Sequence, residues 1–80
     1  MVTVQQWTGH EARVLRRASR MSVRGFATYL GAGVRTVAAW EAHDVHPRPE
    51  LRAALDTALA RADGDARERF TAALRLATTW

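Results

Sequence analysis

The run from Ser22 to Glu41, SVRGFATYLGAGVRTVAAWE, constrains the fold more tightly than any other part of the chain. Val23, Phe26, Ala27 and Leu30 recur at the spacing of one helix face. Ser22 precedes them, an N-cap type whose side-chain oxygen accepts a first-turn backbone N–H. Gly31 ends this helix, because glycine takes the left-handed conformation common just past a helix C-terminus. A second helix is predicted over about Val34 to Ala42, with Val37 and Trp40 turned inward. Gly31, Ala32 and Gly33 alone separate the two.

A connection of that length belongs to the helix-turn-helix, whose second helix enters the DNA major groove. The segment resembles the core of the Xre-type, lambda-repressor-like family of DNA-binding domains. The likeness rests on Ser22, the Phe26-Ala27 pair, Leu30-Gly31, Thr36-Val37 and the terminal Trp40-Glu41. It extends back through VLRRASRM (residues 14–21) and forward through HPRPELRAAL (residues 46–55). The resemblance implies an all-α, compact five-helix lambda-repressor-like domain with the helix-turn-helix at helices 2 and 3. It also implies a double-stranded DNA-binding role in a bacterial or phage-type transcriptional regulator that acts as a dimer.

Length and composition agree with that class. Eighty residues make one small domain, residues 1–80, with a single modest core. There is no cysteine, so neither a disulfide nor a zinc-thiolate site is expected. No apolar run reaches the roughly 20 residues of a membrane span. The opening MVTVQQWTGHEAR lacks the basic-then-apolar order of a secretory signal, so a cytoplasmic location is expected. The net charge is +4 and all 12 basic residues are arginine, the side chain that forks onto phosphates and guanine edges. A GC-rich coding bias would also give a lysine-free, alanine-rich chain, so this balance supports a polyanionic partner without demanding one.

Residues 1–7 read as a tail, residues 8–62 as helices 1–4, and residues 65–80 as helix 5. Thr8 and Glu11 have capping-box spacing, with Trp7 and Ala12 placed for a hydrophobic staple. Helix 1 is expected to run to about Ser19 and to bury Val14, Leu15 and Ala18. After the loop 42–48, Pro49 suits the first position of helix 4, which carries the stripe Leu51, Ala54, Leu55, Ala58 and Leu59 to about Ala62. Leu15, Phe26, Leu30, Val37, Trp40, Leu51 and Leu55 are the expected core. Asp65 and Glu68 repeat the capping-box pattern at the start of helix 5. Its apolar arc of Ala66, Phe70, Ala73, Leu74 and Ala77 is widened by Ala72, Leu76 and Trp80 beyond the stripe of about 100° that a surface helix needs. That excess points to a homodimer or domain contact through Phe70, Leu76 and Trp80.

The family resemblance also implies the site. The recognition helix would span about residues 34–42, with Val34, Arg35, Thr36, Ala38 and Ala39 facing the bases. Arg35 is the strong reader, able to make two hydrogen bonds to guanine worth about 1–3 kcal/mol of discrimination. Val34, Ala38 and Ala39 meet at most thymine methyl groups, a sparser edge than relatives with glutamine or serine there. Arg20, Ser22, Val23 and Arg24 would hold a phosphate at the N-terminus of helix 2. Valine at position 23, where relatives often have glutamine, keeps the backbone donor and loses the side-chain one. His46 and Arg48 match a loop that touches the DNA backbone, and Arg16 and Glu41 match a structural salt bridge.

Other chemistry finds little support. His43 and His46 stand three apart in a proline-containing loop, and with no cysteine beside them no metal is expected. No carboxylate pair or glycine-rich phosphate loop follows a strand, so neither an enzyme nor a cofactor is expected. Two alternatives use the same scaffold. One is a protein-interaction module of the antitoxin or adaptor type, binding through Val34, Ala38, Ala42 and the helix 5 face. The other is a non-transcriptional DNA-binding protein of plasmid, telomere or conjugation machinery.

Overall fold

The computed structural model describes Val4 and residues 6–78, with side chains described through Leu76. Among these residues the chain forms helices and no strand. The five helices are α1 (Gly9–Ala18), α2 (Val23–Leu30), α3 (Val34–His43), α4 (Pro49–Arg61) and α5 (Gly64–Thr78). None of them is long and apolar enough to cross a membrane.

Helix ends explain most of the boundaries. Ser22 Oγ accepts the Gly25 amide at 2.9 Å and so opens α2. Gly31, at φ 75°, closes it, with the Gly31 and Ala32 amides bonded back to Thr28 and Ala27. α1 ends in the same way, the Arg20 and Met21 amides reaching the carbonyls of Arg17 and Arg16. Both are Schellman ends, whose first residue past the cap is left-handed. In α1 that residue is Arg20, at φ 59°. α5 starts one residue before the sequence suggests. Its cap is Asp63, whose Oδ1 accepts the Ala66 amide at 2.8 Å, leaving Asp65 inside the first turn.

One core joins the helices, with Leu15, Phe26, Val37, Leu55 and Phe70 fully enclosed. Leu30 and Trp40 are also buried, while Leu51 and Val14 are only partly covered. α1 packs on both α3 and α5, and α2 packs on α3 and α4. Burying one large apolar side chain contributes roughly 1.5–3 kcal/mol, so these residues dominate the fold's stability.

Two expectations for the N-terminal region are corrected. Trp7 belongs to the core rather than to a tail. It is 2% exposed, its ring lies 6.1 Å from that of Phe70, and its Nε1 donates to Asp56 Oδ1 at 2.7 Å. It therefore bridges α4 and α5 instead of serving only as a local staple. The capping box does not close either, because Thr8 Oγ1 donates to both Glu11 carboxylate oxygens at 2.6 and 2.8 Å. The α1 amide of His10 instead finds Asp44 Oδ1 at 2.7 Å, a cap supplied from the end of α3.

Candidate nucleic-acid interface

α3 is held by α1 along its C-terminal half. Arg16 Nε donates to Glu41 Oε2 at 2.6 Å and its Nη2 donates to Oε1 at 2.9 Å. Its Nη1 donates to the Met21 carbonyl at 2.9 Å, so one guanidinium ties α3 to the α1–α2 turn. Asp44 adds a second tie at the end of α3 through the His10 amide. That amide holds the Asp44 carboxyl below the ordinary value of 3.8. The backbones also meet closely there: a Cβ on Gly9 would stand 1.8 Å from the Trp40 carbonyl oxygen.

With α3 positioned in this way, Arg35, Thr36, Ala38 and Ala39 are exposed. Val34 is half-buried and packs against the core, so it offers less surface than its neighbours. Thr36 and Ala39 line one groove together with Trp40, Val45, His46, Arg48 and Leu51, about 410 Å³ in volume. Residues expected to face bases and residues expected to face the backbone thus share one concavity. At the other end of the helical pair, Arg20, Ser22 and Arg24 are exposed beside the first turn of α2, and Val23 is half-buried against the core. The first amides of α2 have no partner within the helix, as at any helix start, while the Gly25 amide is already taken by Ser22.

The residues expected to mediate self-association divide. Phe70 is 0% exposed and packs against Trp7, which removes it from any contact surface. Leu76 is 65% exposed on α5. Trp80 lies outside the described residues.

A charge asymmetry went unread in the sequence although it is plainly visible there. Residues 1–48 hold seven arginines (13, 16, 17, 20, 24, 35 and 48) and three carboxylates (Glu11, Glu41 and Asp44). Residues 49–80 hold five of each, so the whole +4 charge lies in the part that builds α1 to α3. The structure sharpens this, since each of the three carboxylates is engaged internally, by Thr8, by Arg16 and by the His10 amide. Counting charge by segment would have found the asymmetry. The ties made by Gly9 and Asp44 were not readable in this way, because each depends on a partner far along the chain.

Fold and site together define an all-helical domain with a short helical pair and a groove beside its second member that His46 and Arg48 help to line. No family model, curated protein or solved structure matches the chain.

Proposed function

We propose that this chain is a double-stranded DNA-binding domain of the Xre-type, lambda-repressor-like helix-turn-helix class, serving a bacterial or phage-type transcriptional regulator in the cytoplasm. α3 enters the major groove, where Arg35 reads a guanine and Thr36, Ala38 and Ala39 contact neighbouring base edges. The first turn of α2, with Arg20, Ser22 and Arg24, seats one phosphate. His46 and Arg48 meet the backbone on the other side of the groove. The observation that carries this reading is the groove shared by Thr36, Ala39, His46 and Arg48, within the segment 1–48 that holds all the net positive charge. Phosphate contacts dominate affinity and base contacts specify sequence, so one guanine reader among small apolar neighbours implies firm binding with modest selectivity.

Selection of bound sequences from a random duplex pool tests this reading. A palindrome with half-sites about 34–36 Å apart supports a dimer on a two-fold site, and a lone enriched half-site supports a monomer. Recovery of no duplex at all rejects the reading. Self-association through α5 rests on Leu76, and light scattering at high micromolar concentration decides it.

The apolar part of the same groove, Trp40, Val45 and Leu51, favours one second reading. It would suit a protein-interaction module of the antitoxin or adaptor type, which predicts no salt-dependent DNA binding.

A further inference from the structure

The outer face of α1 presents cations and no carboxylate. Arg13 and Arg17 stand at i and i+4, on the side opposite the buried Ala12, Leu15 and Ala18, and both are exposed. Arg20 and Arg24, also exposed, continue the series across the turn into α2. Glu41 lies near its start, 3.9 Å from the Arg13 Nε, but its carboxylate is already held twice by Arg16. Arg17, Arg20 and Arg24 make no ion pair among the described residues. Such a row carries a weak mutual repulsion, screened by water and salt, that a polyanion lying along it would relieve.

Arg20 adds an independent observation. It occupies the left-handed position of a Schellman end, where a side chain is strained and glycine is the usual residue. The matching position of α2 is Gly31. The chain keeps a charge at this point despite the strain.

We infer that Arg13 and Arg17 form a phosphate track that leads from the seat at Arg20 along α1 and grips duplex DNA by its backbone beyond the reach of α3. This rests on the DNA-binding reading above and adds a second, sequence-independent contact region. Arg13 and Arg17 lie about 6 Å apart along the α1 axis at about 1.5 Å per residue. Successive phosphates of one strand advance about 3.4 Å each along the duplex axis. The two guanidiniums, on flexible stems, therefore match nearby phosphates of a single strand. The track is in fixed register with α3, because Arg16 between them is bonded to both Glu41 and the Met21 carbonyl. A domain with one guanine reader gains affinity from such a track without gaining selectivity.

Fluorescence anisotropy of a random-sequence 25-bp duplex, titrated across about 50–200 mM salt, tests the track. Arg17→Gln is the central variant, since Arg17 has no ion-pair partner to disturb. Arg61→Gln removes the same charge from an exposed residue of α4 and serves as the control. The slope of log affinity against log salt should become shallower by about 0.9 for Arg17→Gln and about 1.8 for Arg13→Gln/Arg17→Gln. Arg61→Gln should leave it unchanged, and all thermal midpoints should stay together. An unchanged slope in both track variants, with DNA still bound, overturns the track and leaves the DNA reading standing. An equal loss for Arg61→Gln reduces the effect to net charge and also overturns it. No binding by the unaltered chain overturns the track and the DNA reading together.

Discussion

Arg16 and Glu41 grip each other through two parallel hydrogen bonds, with only 16% and 13% of their side chains exposed. Exposed ion pairs contribute about 0–1 kcal/mol because water competes for both partners. Here water is largely shut out and the fork geometry is matched, so the coupling should be larger. A double-mutant cycle of Arg16→Gln and Glu41→Gln, read by chemical denaturation, should give a coupling of about 1–3 kcal/mol. A coupling indistinguishable from zero would show that the pair does not help hold α3.

Gly9→Ala should be among the most damaging single changes in the chain. Its new methyl group would fall 1.8 Å from the Trp40 carbonyl oxygen and 3.0 Å from the Asp44 Cα, and backbone atoms cannot swing aside as side chains do. The expected loss is about 3 kcal/mol or more, visible as a lowered denaturation midpoint. A loss under about 0.5 kcal/mol, typical of an exposed surface site, would mean that α1 and α3 do not meet this closely.

How the sequence prepared these findings depends on the range of each interaction. The bounds of α2 and α3, the Ser22 cap and the left-handed Gly31 were legible because each is decided within a turn or two of chain. The buried Phe26, Leu30, Val37 and Trp40 followed from helical spacing. The Arg16–Glu41 pair, 25 residues apart, was reachable only through the family likeness. Trp7 escaped, because its partners Asp56 and Phe70 lie far along the chain and nothing near position 7 announces them. Asp63 and Asp65 flank the same glycine, and only the direction of a carboxylate toward the Ala66 amide decides between them. Phe70 looked available for self-association because a helical wheel shows which residues share a face, not what covers that face.

Asp44 should make stability acid-sensitive. The His10 amide favours its charged form, so its folded-state pKa lies below the unfolded value near 3.8. Below the unfolded value the unfolded chain takes up protons first. The contribution is therefore fully present above about pH 4 and is lost as pH falls through the folded pKa. Thermal midpoints measured from pH 7 down to pH 2 should fall less steeply in Asp44→Asn than in the unaltered chain. Parallel pH profiles for the two proteins would remove Asp44 from the cap of α1.

Arg20→Gly should separate folding from binding. Glycine relieves the left-handed strain at φ 59° but widens the unfolded ensemble, so stability should stay within about 1 kcal/mol of the original or rise. DNA affinity should drop, with a salt slope shallower by about 0.9. Unchanged affinity and slope would place Arg20 off the phosphate path.

The most direct measurement compares the unaltered chain with Arg35→Ala on two duplexes, one carrying the sequence enriched by selection and one of random sequence, across a salt series. The unaltered chain should bind both, with affinity falling steeply as salt rises. Arg35→Ala should lose about 1–3 kcal/mol on the enriched duplex, roughly 5- to 150-fold, and little on the random one. Equal losses on both duplexes would contradict a base-reading Arg35. No binding of either duplex at about 50 mM salt would contradict the assignment of this face to DNA.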